Sequence, residues 1–129
     1  MRDKTKILVV ENEMPTAMMM VSLLTKAGFD VKAAAKGRKG MEIAQEQKFD
    51  LILLEIDLND ISGFKICAEL RQRHISFRTP IILLSKRRGD ECHQQALDIG
   101  AADFIEKPFD AKDFISCVLS HLKPLPAYV

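Results

Sequence analysis

The hydrophobic residues of this chain form short uninterrupted runs that alternate with longer amphipathic stretches. The runs ILVV, LILL and IILL contain no polar residue, which is typical of strands that are covered on both faces. The stretches between them are typical of helices, with Ser62 and Asp110 as predicted N-caps and Gly28 and Gly100 as predicted ends. The predicted strands cover residues 6–10, 30–35, 50–56, 80–85 and 102–107, and the predicted helices cover residues 15–28, 38–49, 62–74, 89–101 and 110–122.

This regular alternation predicts an α/β fold, a doubly wound parallel sheet with helices on both faces. The second strand, VKAAA, has fewer large apolar residues than the others, so we place it at an edge of the sheet. Right-handed crossovers then favour the flavodoxin-like strand order 2-1-3-4-5. A chain of 129 residues fits a single domain. We assign this domain to residues 1–122 and interpret residues 123–129 as a tail or the start of a linker.

Composition and charge indicate an ordinary globular protein. Hydrophobic residues make up 47% of the chain, and the formal net charge is +1, so the overall charge favours neither nucleic acid nor a membrane surface as a partner. No signal-peptide pattern is present, and no run approaches the roughly 20 apolar residues of a membrane span. We therefore expect a cytoplasmic protein.

Neither the cysteines as a set nor the histidines as a set show metal-binding spacing. The three cysteines form no CxxC pair, and we interpret them as small buried hydrophobic residues in a reducing compartment. They are Cys67, Cys92 and Cys117. The three histidines lie in separate predicted helices and are predicted to be surface residues. They are His74, His93 and His121.

Polar side chains follow four strands of the predicted sheet, at the point where each strand ends. Ligands of open α/β sheets bind outside these carboxyl ends, at the switch in strand order, which here lies between the first and third strands. Oxygen ligands suit Mg²⁺, and a hydroxyl and a lysine beside them suit a phosphoryl group. The residues are Glu11, Asn12 and Glu13 at the end of the first strand, Glu55 and Asp57 at the end of the third, Ser85 at the end of the fourth and Lys107 at the end of the fifth.

With these residues the chain resembles the receiver domain of two-component response regulators over essentially its whole length. The resemblance is carried by ILVVENE (7–13), DLILLEIDLNDISGF (50–64), PIILLS (80–85) and ALDIGAADFIEKPF (96–109). It implies phosphorelay signal transduction by a domain that is not an enzyme. The implied partners are a histidine kinase and an output domain or protein. They would bind the face of the fourth helix, fifth strand and fifth helix. A homodimer is an alternative. The domain itself would contact neither membrane nor nucleic acid.

The resemblance also implies roles for the polar residues at the strand ends. Glu55 occupies the phosphoacceptor position, and Ser85 and Lys107 would bind the phosphoryl oxygens. The implied Mg²⁺ ligands are Glu11, Asn12, Glu55 and the backbone carbonyl of Asp57. Phe104 is the aromatic residue that would change rotamer together with the hydroxyl residue. The Lys107–Pro108 bond is a candidate cis peptide, since X-Pro bonds adopt cis at the lowest cost.

Three residues depart from the family pattern. Glu55 stands where aspartate is usual, Asn12 where a second aspartate is commonest, and Lys86 where a small residue usually follows the hydroxyl. Glutamate is longer than aspartate by about 1.5 Å, and a misplacement of about 1 Å can slow phosphoryl transfer on the order of 100-fold. Asn12 removes one negative charge, so the affinity for Mg²⁺ is expected to fall. Glu55 also reaches toward Lys107, and a direct ion pair between them would substitute for part of what a phosphoryl group does.

We therefore hypothesise a degenerate acceptor site and signalling that is constitutive or proceeds through protein contacts alone. One alternative is Mg²⁺-dependent phosphorylation at Glu55 or Asp57. Another is a small Mg²⁺-dependent phosphotransferase or phosphatase, although the chain leaves no room for a substrate domain. A flavin or nucleotide carrier is disfavoured because the segment ENEMPT is acidic where a phosphate would lie. The basic segment KRRGDE (86–91) would meet an acidic partner or be a solvated loop.

Overall fold

A computed structural model of the protein describes residues 4–73 and 79–122. The five strands form one parallel sheet in the order β2-β1-β3-β4-β5, which confirms the predicted flavodoxin-like fold and the edge position of the second strand. His74 and the predicted tail at 123–129 lie outside the described residues. The elements are β1 (Lys6–Val10), α1 (Met14–Lys26), β2 (Asp30–Ala34), α2 (Gly37–Glu46), β3 (Leu51–Glu55), α3 (Gly63–Gln72), β4 (Ile81–Ser85), α4 (Asp90–Asp98), β5 (Asp103–Glu106) and α5 (Ala111–Ser120).

Helix ends are set by the residues that the sequence pattern indicated. The side chain of Ser62 accepts a hydrogen bond from the N–H of Phe64 at 3.2 Å, and that of Asp110 accepts one from the N–H of Asp113 at 2.7 Å. Gly28 and Gly100 follow α1 and α4 with φ values of 97° and 96°, a left-handed conformation that glycine adopts without steric cost. Helices α1 and α4 end two and three residues earlier than predicted, because these glycines and the residues before them form the caps.

The core consists of two hydrophobic layers, one on each face of the sheet. Successive residues of a strand point to opposite faces, so Leu8 and Ile52 pack in one layer, and Val9 and Leu53 pack in the other. The first layer includes buried residues of α2, α3 and α4, and the second includes buried residues of α1 and α5. No helix in the described segments is long and apolar enough to cross a membrane.

The register of the sheet brings the polar strand ends to one edge. Glu55 is paired with Leu84, and Ser85 is paired with Glu106, so the residue after β5, Lys107, lies beyond the same edge as Glu55 and Ser85. Val10 is paired with Leu54, which places the residue after β1 beside the end of β3. Parallel pairing alone therefore gathers the residues that the sequence analysis selected.

Candidate functional site

Four polar or charged residues are buried among the described residues, and all four lie at the carboxyl edge of the sheet. They are Glu11, Glu55, Ser85 and Lys107. Burying charged groups is costly unless they are paired and hydrogen-bonded. Their shared location therefore points to a site that the fold maintains at a cost to stability.

The ammonium of Lys107 bridges the two buried carboxylates. It donates hydrogen bonds to Oε1 of Glu11 and to Oε1 of Glu55, which confirms the predicted ion pair with Glu55. The second oxygen of each glutamate accepts a backbone N–H from two residues further along, that of Glu13 at 3.1 Å and that of Asp57 at 2.8 Å. Both carboxylates thus have partners on both oxygens, although solvent barely reaches them.

Charge and burial act in opposite directions on Lys107. Burial alone lowers the pKa of the ammonium, but the hydrogen bonds and charges of Glu11 and Glu55 together outweigh it, so the pKa is raised above the usual lysine value. A third carboxylate, Glu13, lies 3.7 Å from the same ammonium and is itself paired with Lys86 at 3.2 Å. The lysine therefore stays charged and holds the negative side chains together.

The buried hydroxyl of Ser85 is occupied by a neighbouring carboxylate. It donates to Oδ2 of Asp57 at 2.9 Å and accepts the backbone N–H of Arg87 at 3.0 Å. The guanidinium of Arg87 lies 2.6 Å from Oδ1 of the same aspartate. Partial burial raises the pKa of Asp57, but the hydrogen bonds from Arg87 and Ser85 more than compensate, and the net pKa is lowered.

The side chain of Asp57 contacts Ser85, a pairing that the sequence did not predict. Asp57 was expected as a metal ligand through its backbone carbonyl and, as an alternative, as the phosphoacceptor. Residues two apart on an extended chain share a face, so Asp57 points the same way as Glu55 if the strand direction continues past its end. That spacing was the available signal, but the geometry of the following loop decides whether the carboxylate reaches Ser85.

Asn12 and Lys86 contact residues outside the group of four buried polar residues. Asn12, an expected metal ligand, donates from its side-chain amide to Oδ1 of Asn59 at 3.3 Å. Lys86, which departs from the family pattern, is exposed and pairs with Glu13 at 3.2 Å. One carboxylate oxygen from each of Glu11, Glu13 and Glu55 lies within 4.8 Å of the other two, so Glu13 joins the two buried carboxylates as a candidate oxygen donor.

The two remaining expected positions flank the site. The Lys107–Pro108 peptide bond is cis, as predicted from the sequence. Phe104 is buried in the core layer under α4, and its ring contacts His93 with 4.6 Å between the ring centroids. Phe104 of β5 therefore contacts both the hydrophobic core and His93 on α4.

The basic residues after β4 are all paired within the chain. Lys86 contacts Glu13 and Arg87 contacts Asp57, as described above, and Arg88 contacts Glu106 at 3.6 Å. Each of these side chains is more than half exposed, and pairs of this kind contribute little to stability. The segment is therefore a solvated loop whose charges are already matched by carboxylates at the sheet edge.

Comparison with known proteins explains why these groups are gathered together. Residues 7–119 match the family described as response regulator receiver domain. The chain belongs to this family. Response regulator ArlR of Staphylococcus saprophyticus is 35% identical over 122 residues, which are 95% of this chain and 54% of that protein. The chain thus spans about half the length of that relative.

Solved structures show the same fold. The chemotaxis protein CheY4 of Vibrio cholerae has a TM-score of 0.88 at 27% identity, over 93% of this chain and 100% of that one. A response regulator from Chloroflexus aurantiacus has a TM-score of 0.87 at 24% identity, over 92% of this chain and 98% of that one. The receiver domain is therefore established over the described residues by both sequence and fold.

Receiver domains bind Mg²⁺ at this acidic edge, and the donor set here has the right chemistry. Carboxylate oxygens are the ligands that Mg²⁺ prefers, and the clustered oxygens of Glu11, Glu13 and Glu55 supply them. The ammonium of Lys107, however, already binds Glu11 and Glu55. A metal ion at this site would share these two carboxylates with a resident positive charge.

Proposed function

We propose that this receiver domain signals through protein contacts without a phosphorylation cycle at Glu55. The observation that carries the proposal is the ammonium of Lys107 between the carboxylates of Glu55 and Glu11. In the related domains a lysine at this position would bind an oxygen of the phosphoryl group. Here the longer glutamate brings its own negative charge to that lysine.

The acceptor oxygens of Glu55 support this view. One accepts from Lys107, and the other accepts the N–H of Asp57 at 2.8 Å. Forming a bond from either oxygen to phosphorus would break a hydrogen bond in a buried site, where an unmatched polar group costs about 1–3 kcal/mol. Phosphoryl transfer depends almost entirely on positioning and charge stabilisation. The groups that would provide them, the Lys107 ammonium and the oxygens of Glu55, already take part in hydrogen bonds within the chain.

The second phosphoryl-binding group is occupied in the same way. Ser85 donates its hydroxyl to Asp57, and Arg87 reinforces that aspartate from the solvent side. A phosphoryl group would have to displace the Asp57 carboxylate to reach Ser85. Two carboxylates of the chain thus stand where phosphoryl oxygens would be bound.

Mg²⁺ would be held by Glu11, Glu13 and Glu55, with the backbone carbonyl of Asp57 as a further oxygen donor. When bound, the ion would neutralise charge on a phosphoryl group. Lys107 neutralises part of the same carboxylate charge, and Asn12 adds none. We therefore expect the affinity for Mg²⁺ to be weaker than in a site with three free carboxylates.

Receiver domains of this family interact with histidine kinases and with output domains. We propose that this one uses the face of α4, β5 and α5, and that the domain is not an enzyme. The face has apolar and charged features suited to a protein partner, since Leu97 on α4 and Leu119 on α5 are exposed. Glu106 on β5 contacts Arg88 and His93. A second copy of the chain is an alternative occupant of this face.

A second candidate is phosphorylation at Asp57, which one observation favours. Asp57 is the carboxylate that touches Ser85, and its side chain is 45% exposed, unlike the buried Glu55. A phosphodonor would therefore reach it more easily. Against it, Lys107 binds the other carboxylates of the site, so an acyl phosphate on Asp57 would lack that stabilisation unless the loop moved.

Beryllofluoride, a noncovalent mimic of a phosphoryl group, tests the proposal. Backbone amide NMR spectra would be recorded with Mg²⁺, before and after beryllofluoride is added, for the natural chain and for Glu55→Asp. We expect no shift at Ser85 or Phe104 in the natural chain and clear shifts in the variant. Shifts in the natural chain that spread into α4 and β5 would overturn the proposal. If both proteins stay silent, adding Asn12→Asp separates a weak metal site from a blocked acceptor.

A further inference from the structure

A second cluster of reactive side chains lies at the opposite end of β5 from the receiver site. Asp103 is the first residue of β5, Cys117 lies on α5, and His121 follows the last turn of that helix. Oδ2 of Asp103 lies 2.8 Å from Nε2 of His121 and 3.5 Å from Sγ of Cys117. All three ligand atoms lie within 4.8 Å of one another.

The fold brings these three residues together for simple reasons. Cys117 and His121 are four positions apart, which places them one above the other on the same side of a helix. Phe114 and Val118 on the same helix are fully buried and fix its orientation against the sheet. The start of β5 then lies beside the Cys117 and His121 side of the helix.

The cluster corrects two expectations from the sequence. Cys117 is not a fully buried hydrophobic residue but is partly exposed, as is Cys92, whereas Cys67 is buried as expected. His121 is not an isolated surface residue, because it contacts Asp103. The histidines lack ligand spacing among themselves, and the pair Cys117 and His121 has it.

We propose that Asp103, Cys117 and His121 form a binding site for a transition-metal ion of the Zn²⁺ type. A thiolate, an imidazole nitrogen and a carboxylate oxygen are the donors that Zn²⁺ takes from proteins. For bonds of about 2.0–2.3 Å at tetrahedral angles, ligand atoms lie about 3.3–3.8 Å apart. The contact between Asp103 and Cys117 already has this length, and that between Asp103 and His121 needs to open by about half an ångström.

The carboxylate is already held in place by the backbone. Its second oxygen, Oδ1 of Asp103, accepts the N–H of Phe104 at 2.8 Å, which leaves Oδ2 directed at Cys117 and His121. Supporting hydrogen bonds of this kind orient metal ligands and raise metal affinity. Cys117 is partly buried and packs against the hydrophobic layer under α5, so one side of the site is shielded from water.

Metal binding at this site is balanced in charge and in protons. The thiol of Cys117 loses its proton to solvent as the metal–sulfur bond forms. His121 gives up its hydrogen bond to Asp103, and the proton on Nε2 leaves to solvent while Nδ1 keeps or takes up one proton, so the neutral imidazole binds through Nε2. One thiolate and one carboxylate offset the two positive charges of the ion. Three protein ligands leave a fourth position for water or for a further ligand. No electron is transferred, so no oxidant or reductant is needed.

The site is distinct from the receiver site in chemistry and in position. The receiver cluster of Glu11, Glu13 and Glu55 contains only oxygen donors and favours Mg²⁺. The Asp103 cluster contains sulfur and nitrogen and favours softer ions. The proposal therefore does not depend on whether Glu55 is phosphorylated.

Co²⁺, a spectroscopic substitute for Zn²⁺, tests the proposal on the full chain with its thiols reduced. We expect one equivalent of Co²⁺ to give the near-ultraviolet charge-transfer absorption of a cobalt–thiolate bond, and Zn²⁺ to displace it. Cys117→Ser should abolish this absorption. His121→Ala and Asp103→Asn should weaken the affinity by about 10-fold or more. Cys92→Ser, which removes the other partly exposed cysteine, is the matched control and should change nothing.

A measurement on the natural chain removes any dependence on the folding of the variants. Zn²⁺ should slow alkylation of Cys117 by a thiol reagent about 10-fold or more, as mapped by peptide mass spectrometry, with Cys92 in the same sample as the internal reference. The proposal is overturned if Co²⁺ produces no thiolate absorption or if the absorption persists in Cys117→Ser. It is also overturned if Zn²⁺ leaves the alkylation of Cys117 unchanged.

Discussion

The ammonium of Lys107 binds the carboxylate of Glu55 in a position where both side chains are only 4% exposed. Glu11 closes the arrangement from the other side with an equivalent contact. Two negative charges and one positive charge are thus held out of water at the switch point of the sheet. Ion groups of this kind contribute little net stability, but removing one partner leaves an uncompensated buried charge.

Replacing Lys107 with methionine should therefore destabilise the fold strongly. Methionine keeps the length of the aliphatic chain but leaves Glu11 and Glu55 facing each other without a cation. We expect a loss of about 3–5 kcal/mol in the free energy of unfolding, measured by urea denaturation. Lys86→Met removes the exposed pair with Glu13 and should cost no more than about 1 kcal/mol.

Neutralising the partner should recover part of this loss. In Lys107→Met combined with Glu55→Gln only one buried charge remains, so the double variant should be more stable than Lys107→Met alone. A double-mutant cycle in urea measures the coupling, which we expect to be about 1–3 kcal/mol. Independent effects of the two substitutions, with no coupling, would show that the contact does not hold these groups together in solution.

The acceptor strand should also be sensitive to bulk at Gly63. A Cβ at this position would overlap the backbone carbonyl oxygen of Glu55 and lie 2.8 Å from Cα of Ile56. The obstacle is backbone rather than a flexible side chain, so Gly63→Ala should lower the free energy of unfolding by about 1–3 kcal/mol or more. The adjacent Ser62→Ala removes only an N-cap hydrogen bond and should cost about 1 kcal/mol. Thermal or urea unfolding of the two variants gives the comparison, and equal costs would argue against the close approach.

Shortening the acceptor side chain should restore phosphorylation. Glu55→Asp withdraws the carboxylate from Lys107 and returns it to the usual distance from a phosphodonor. We expect its labelling by acetyl phosphate with Mg²⁺ to exceed that of the natural chain on the order of 100-fold. Intact mass recorded over time gives the rate. A variant that remains inert at high Mg²⁺ would identify the metal site, and Asn12 in particular, as the main defect.

Releasing Ser85 should increase that labelling further. In the Glu55→Asp background, Asp57→Asn removes the charged acceptor of the Ser85 hydroxyl and leaves the hydroxyl available to a phosphoryl oxygen. A hydrogen bond to a charged group is worth about 1.5–3 kcal/mol, so the gain should be at most on the order of 100-fold. Arg87→Ala in the same background is the control, because it removes a partner of Asp57 and leaves the carboxylate on Ser85. A larger gain from Arg87→Ala than from Asp57→Asn would contradict this role of Asp57.

The interaction between Asp57 and Arg87 should appear as a small pH dependence of stability. The pKa of Asp57 is lowered in the folded protein, so its contribution is present above the usual aspartate pKa of about 3.9 and is lost as the pH falls through the lower folded value. The pair is about half exposed, so the contribution should not exceed about 1 kcal/mol. The difference in unfolding free energy between the natural chain and Asp57→Asn, measured from pH 6 downward, should shrink in this direction. A difference that grows on acidification would show the opposite shift.

The fold was predictable because uninterrupted apolar runs that alternate with helical patterns ending at glycines leave few topologies. The four buried polar residues were predictable for a related reason, since parallel strands bring their carboxyl ends to one edge whatever follows. The partners of Asp57 and Asn12 were not, because short loops after the strands set side-chain directions that periodicity does not determine. The Asp103 cluster was missed because one ligand comes from a strand and two from a helix, and only packing shows that they meet.

Intact mass of the natural chain after incubation with Mg²⁺ and acetyl phosphate tests directly whether Glu55 accepts a phosphoryl group. Glu55→Asp, treated in parallel, shows that the conditions support acyl phosphate formation. We expect the natural chain to keep its unmodified mass while the variant gains one phosphoryl group. A phosphoryl adduct on the natural chain that peptide mapping assigns to Glu55 would contradict the claim, and one assigned to Asp57 would replace it with the second candidate.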